Sequence, residues 1–174
     1  MQIIYSFNLT IDEYIDQIYF MDFTEFNCCP ICHSHLKLVK HGFYFRNVIT
    51  NKNINYFIPI RRFFCSKCKL TISLLPDFLL PYFQSTVIRV INLINDLIQN
   101  KIKRYLHLAH FYKTRFLHNL NAIISFFRLK DFSIPIAFEI DENLFLFIDK
   151  IISFPAIIFS KSYYFTFNTH FLSK

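Results

Sequence analysis

Apolar residues recur along this chain first at helical spacing, then at strand spacing, then at helical spacing again. Ile11, Tyr14, Ile15 and Ile18 share one helical face, and Thr10 is followed three residues later by Glu13. That pair is a capping box, and together they predict a short helix over about residues 11–20. From residue 36 to residue 64 the runs LKLVKHGFYFRNVIT and NYFIPIRRFF are β-branched and aromatic, with NKN between them. This is a hairpin signal. Gly42, the sole glycine, lies inside the first run. A bulge or a bend with positive φ would explain a glycine there. The stretch SLLPDFLLPY holds Pro76 and Pro81, so it reads as an extended or turning connector rather than a helix interior.

After Pro81 the helical period returns. STVIRVINLINDLIQ places apolar residues at 87, 91, 94 and 98, with more at 88, 90 and 97, and so predicts a buried helix. A polar break, QNKIKR, precedes a second short helix, IKRYLHLAHF. After YKT a third helix, RFLHNLNAIISFFRLK, sets Phe116, Leu120, Ile123 and Phe127 on one face. Arg115, His118, Asn119, Ala122 and Ser125 lie on or near the opposite face. Pro135 ends any helical continuation, and FSIPIAFEIDENLFLFIDKIISFPAIIF reads as one or two strands. The expected fold is α+β, in four parts. Residues 1–27 form a small N-terminal helical segment and 28–82 a β-hairpin region. Residues 83–130 form a helical unit, and 131–174 a short β-rich tail.

Composition changes the weight given to aromatics. The chain has 24 Phe, 10 Tyr and no Trp among 174 residues. Phe, Ile, Tyr, Asn and Lys are favoured by AT-rich codons, so aromatic richness alone does not argue for base stacking and single-stranded RNA. With 53% hydrophobic residues there is material for a core. No uncharged stretch exceeds 12 residues, reached at 116–127 and 162–173. A membrane helix needs roughly 20. The first residues have no basic run and meet acids by Asp12, so no signal peptide is expected, and the expected location is the cytoplasm.

Charge is segregated. Residues 1–36 carry five acids and no Lys or Arg, whereas residues 37–130 carry 16 bases against Asp77 and Asp96 alone. Residues 131–174 carry five acids and three bases. A central positive block is the pattern of a chain that meets a polyanion, most often nucleic acid.

The cysteines add a specific chemistry. Cys29-Pro30-Ile31-Cys32 and Cys65-Ser66-Lys67-Cys68 are two C-x-x-C knuckles on either side of the hairpin. Each knuckle turns tightly enough to aim two sulfurs at one point, and the hairpin brings the turns together. Four thiolates then converge on tetrahedral zinc. Such a site has no open position, so the zinc is expected to be structural and not catalytic. Cys28 falls outside the C-x-x-C spacing and reads as a spare thiol or a packing residue. His33 and His35 are substitute ligands by type, and more often such residues are surface neighbours of a site. No βαβ pattern surrounds either pair, which argues against a thioredoxin-like redox role.

CPIC, KHGFYFR and IRRFFCSKCKLTISLLPDFLLPY together resemble the zinc ribbon at the N-terminus of several bacterial insertion-sequence transposases, and small transposase-like proteins built on the same ribbon. Arg62, Phe63, Cys65, Cys68, Thr71, Ile72, Ser73, Leu75 and Pro76 occupy the family's pattern. The resemblance covers about residues 28–130 and implies a helix-turn-helix after the ribbon. The family often has glycine just after each knuckle, where this chain has His33 and Lys69. A transposase of this kind also needs three carboxylates on a ribonuclease-H-like core. AFEIDENLFLF resembles the first strand of that core, with Asp141 or Glu142 at the first acid, but only Asp149 follows among acids. A solvated acidic turn is the favoured reading of Glu139, Asp141 and Glu142. A complete catalytic set is therefore not expected, and the chain reads as a truncated transposase or a stand-alone DNA-binding protein.

The expected partner is double-stranded DNA, with a homodimer or a transposase partner left open. The ribbon bases Lys37, Lys40, Arg46, Arg61, Arg62, Lys67 and Lys69 would contact phosphates. Lys113, Thr114 and Arg115 near the start of the third helix, then His118 and Asn119, would face bases or backbone in the major groove. The competing reading is a zinc-stabilised protein-docking module without DNA binding, using LPDFLLPYF as an exposed apolar dock. An active nuclease is a third reading, and it would depend on Asp141 and Glu142.

Overall fold

A computed structural model describes residues 1–23, 28–35, 38–130 and 140–173, with backbone only for 140–143. The fold is α+β, and it divides into two compact units. Unit 1 comprises Met1–Val48 and Asn55–Gln84; unit 2 comprises Ile49–Ile54 and Ser85–Lys174.

Unit 1 is built on a sheet of β1 (Gln2–Tyr5), β2 (Val39–Ile49), β3 (Asn55–Phe64) and β4 (Thr71–Pro76), in the order β1-β4-β3-β2. The two long runs that predicted a hairpin are β2 and β3. Gly42 sits inside β2 at φ +72°, and a Cβ there would meet nothing within 4 Å, so backbone conformation and not space accounts for the glycine. The connector expected at SLLPDFLLPY begins as a central strand instead. β4 pairs antiparallel with β3, Phe63 opposite Ile72, and parallel with β1, Ile4 opposite Leu75. Being covered on both sides, its residues Ile72 to Pro76 are all buried, as continuous apolar runs in central strands are. β1, only four residues long, carries no periodicity to be read from sequence.

The first helix, α1 (Ile11–Gln17), forms with the expected capping box. Thr10 Oγ1 accepts from Glu13 N–H at 3.3 Å, and Glu13 Oε2 accepts from Thr10 N–H at 2.8 Å. Tyr14 and Ile18 bury the inner face. Tyr14 donates its hydroxyl to Pro59 O at 2.7 Å and meets Phe7 and Phe78 edge to face. The same burial raises the Tyr14 phenol well above the usual tyrosine range.

Unit 2 is helical: α2 (Val87–Ile98), α3 (Leu106–His118), α4 (Leu120–Leu129), α5 (Ile140–Ser153) and α6 (Ala156–Phe167). Thr86 caps α2 by accepting from Arg89 N–H at 3.3 Å. Asn100, with φ 54°, follows the C-cap of α2 in the left-handed conformation that ends many helices. α2 packs on α3, α5 and α6. The core between them is largely aromatic. Phe127 stacks on Phe159 at 5.6 Å and on Phe147 at 5.9 Å, and Phe126, Tyr163 and Phe171 close around Phe159.

Two expectations for this unit are corrected. The break between the second and third helices is not at YKT. α3 runs through Tyr112, Lys113 and Thr114, none of which interrupts a helix, and the chain breaks at Asn119. The Asn119 amide donates to Arg115 O at 3.0 Å and so satisfies a carbonyl at the end of α3. The β-rich tail is also wrong, because residues 140–153 and 156–167 are helices separated at Pro155. Leu144, Phe147, Ile148 and Ile151 are all buried and spaced for one helical face, which a strand would not bury together. The resemblance of AFEIDENLFLF to a first nuclease strand falls with it: Asp141 and Glu142 lie in the first turn of α5, and Glu139 lies outside the described residues.

His170 gives unit 2 a pH dependence. It is buried, and its Nδ1 accepts from Leu172 N–H at 3.3 Å. Burial, then the nearby Arg115 charge, push its pKa down to about 4 from 6.5. The folded state therefore holds the neutral imidazole while the unfolded chain protonates first. Stability contributed here is complete above about pH 6.5 and is lost as pH falls toward 4, by up to about 3 kcal/mol. Urea unfolding at pH 7 and pH 4.5 should show this loss in the parent and a smaller one in His170→Gln. Equal losses in both would place the acid sensitivity elsewhere.

Candidate metal centre

The two knuckles bracket the β2–β3 hairpin of unit 1. The first, residues 29–34, precedes β2; the second, residues 65–70, connects β3 to β4. They share one hydrogen-bond plan. In the first, Cys29 N–H donates to Ser34 O and His33 N–H to Cys29 O, both at 2.9 Å. In the second, Cys65 N–H donates to Leu70 O at 3.0 Å and Lys69 N–H to Cys65 O at 2.9 Å. Closing each turn requires one residue with positive φ. Those residues are His33 at φ 52° and Lys69 at φ 60°. The left-handed region costs an ordinary residue roughly 1–2 kcal/mol, partly offset by the chain entropy that glycine would lose. Lys69→Gly should therefore raise the stability of the metal-bound protein by about 0.5–1 kcal/mol and Lys69→Val should lower it, as read by denaturant midpoints. A stabilising Val would contradict the left-handed assignment.

The four sulfurs converge. Cys29 Sγ lies 3.8 Å from Cys68 Sγ and Cys32 Sγ 3.7 Å from Cys65 Sγ, and all four fall within 4.8 Å of one another. A tetrahedron with metal–sulfur bonds of about 2.3 Å has sulfur–sulfur edges of about 3.8 Å. The set thus fits one tetrahedral ion without rearrangement of the turns. Cys29 and Cys65 are buried, and Cys32 and Cys68 are half-buried. Neighbouring groups prepare the site unequally. The N–H groups of Cys68 and then Lys67 pull the Cys65 thiol down to about 6, while burial pushes Cys68 up to about 11. Metal binding would therefore displace protons. Cys28 stands outside the group, with its Sγ against Cys29 O at 3.7 Å. His33 and His35 are exposed and outside it as well.

The predicted DNA-contacting bases divide by environment. In unit 1, Lys67 and Lys69 are exposed on the second knuckle, and Lys40 is exposed and pairs with Asp22 at 3.8 Å. Lys37 lies outside the described residues. Arg46 is turned into the fold, where its Nη2 donates to Leu80 O at 2.9 Å and also to Phe83 O. Arg61 is half-buried, with its guanidinium 4.6 Å above the Phe43 ring and its Nε without a hydrogen-bond partner among the described residues. Arg62 is half-buried too. In unit 2, Lys113, Thr114 and Arg115 lie in the second half of α3 and not at a helix start. Thr114 and His118 are exposed, and Lys113 is partly so. Arg115 donates to Leu172 O at 3.1 Å, and Asn119 donates to Ser173 O at 2.8 Å, so both hold the chain's last turn.

The apolar stretch considered as a dock is not on the surface. Phe78, Leu79 and Leu80 are buried, and of LPDFLLPYF only Tyr82 is well exposed. Sequence reasoning also missed Arg89, which is 3% exposed. The signal was available, since Arg89 interrupts the apolar run Val87–Ile91 at the start of the helix. Among the described residues no helix is long and apolar enough to cross a membrane.

The profile of a family described as a domain of unknown function (DUF6431) matches residues 29–106, from the first knuckle to the start of α3. No curated protein and no solved structure matches the chain.

Proposed function

We propose that this is a DNA-binding protein whose four cysteines hold a structural Zn2+, similar in kind to the DNA-recognition part of a transposase. The observation that carries the reading is the second knuckle, which joins two ligands of a converged four-sulfur site to the exposed Lys67 and Lys69. Zinc is the ion that four thiolates in tetrahedral array commonly select. With all four positions taken by sulfur it would fix the turns and carry no substrate. The fixed turn would then present its lysines to phosphates, while Lys40 adds a third exposed base in unit 1. Such contacts supply affinity and registration but no base readout. Base contact is assigned to the outward positions of α3, where His107, His110, Thr114 and His118 are exposed at helical spacing.

Lys67→Gln tests the knuckle directly. Its affinity for duplex DNA should fall by a similar factor on unrelated sequences, and the slope of log affinity against log salt should shrink by about one. An unchanged slope would remove Lys67 from the interface.

A further inference from the structure

Unit 2 contains a cavity of about 300 Å³ between residues 51–53 and the segment that joins α2 to α3. Its walls carry Arg89, Lys101, Lys103 and Arg104 against one acid, Asp96. Arg89 is the unusual member. A charge this deeply buried normally has a carboxylate partner, because isolated charges are costly in low dielectric. Among the described residues no carboxylate pairs with it. Its Nη1 donates to Thr50 O at 3.0 Å and to Asn53 Oδ1, the guanidinium lies 4.7 Å from the centre of the Tyr105 ring, and Nε, itself buried, has no hydrogen-bond partner among the described residues. Carbonyl and amide oxygens orient a guanidinium without neutralising it. The arginine is thus fixed at the wall of a cavity without a countercharge among the described residues.

The remaining groups share that sign. Lys101, Lys103 and Arg104 are exposed, and the Asn51 and Asn53 side chains offer amide groups from the opposite wall. Tyr105, which also lines the cavity, is the N-cap of α3 and gives no side-chain cap to the first-turn amides. An uncapped helix start adds positive partial charge at that edge.

We infer that this cavity is a binding site for a phosphate group, held by Arg89 with Lys103 and Arg104. A tetrahedral oxyanion supplies the negative charge that the buried guanidinium lacks among the described residues, and accepts from the exposed Lys103 and Arg104. The inference rests on the DNA reading only for the source of the phosphate, which is either the duplex backbone or a free phosphate.

The test uses the full metal-loaded chain and inorganic phosphate, with chloride at matched ionic strength as control. The readout is the amide and Arg89 Nε–H resonances. Saturable shifts at Arg89 and Asn53 are expected, with binding at least tenfold weaker in Lys103→Gln/Arg104→Gln, whose substituted residues are exposed. The same double variant is measured on duplex DNA. Free phosphate bound in this way, with no DNA binding by the parent, upholds the site and fails the DNA reading. Weakened DNA binding without free-phosphate binding upholds the site with the duplex as its source. Phosphate shifts no larger than those from chloride, or unaltered in the double variant, together with DNA affinity within twofold of the parent, overturn the site. In that last case the DNA reading still stands on the parent's own binding.

Discussion

Removing the metal should unfold unit 1 and leave the helices of unit 2 in place. The apparent binding free energy of structural zinc in small zinc peptides is about 10–16 kcal/mol, comparable to or larger than the entire stability of an ordinary domain. Unit 1 has a better core than a bare hairpin, since α1 and β1 add Tyr14, Ile18 and Ile4 to the buried set. Even so, both turns that flank its long strands are closed around the four sulfurs. Unliganded, the thiolates of so tight a cluster repel each other, and only two backbone hydrogen bonds per turn then hold His33 and Lys69 in left-handed conformations. Segment-resolved hydrogen exchange before and after chelation measures this. Amides of β3 and β4 should lose protection, while those of α2, α4 and α6 keep it. Cys65→Ser should reproduce the effect without chelator and reduce bound zinc below one per chain. Undiminished protection in β3 and β4 after complete zinc removal would show that the sulfurs are incidental to folding.

The parts of this fold that could be read from sequence are those with a local cause. The capping box at Thr10 and Glu13, the β2–β3 hairpin and the positive φ of Gly42 each follow from a handful of adjacent residues. The four-sulfur cluster was legible because knuckle spacing restricts geometry at short range, and the hairpin between the pairs supplied the closure. What failed required distant partners. β1 is a strand because β4 lies beside it, and nothing within four residues signals that. The helices α5 and α6 were misread because phenylalanine and isoleucine are at home in strands. Only the i, i+3, i+4, i+7 spacing of Leu144, Phe147, Ile148 and Ile151 distinguishes the two. The aromatic excess, discounted as a binding signal, forms the stacked core around Phe127 and Phe159. Charge was legible only as a block. Which arginines are turned inward, as Arg46 and Arg89 are, depends on carbonyls contributed by distant residues.

The second large expected effect is the salt dependence of DNA binding by the basic block. Lys67, Lys69, Lys101, Lys103 and Arg104 are exposed, and Lys40 and Lys113 at least partly so. If about six such bases engage a duplex, counterion release alone lowers affinity by roughly 10³ between about 50 and 200 mM salt. The measurement that decides this is fluorescence anisotropy of the zinc-loaded chain on duplex DNA across that salt range. A straight log–log fall with a slope of about −5 or steeper is the predicted result. Absence of binding at the lowest salt, by protein shown to be folded and metal-loaded, would contradict it.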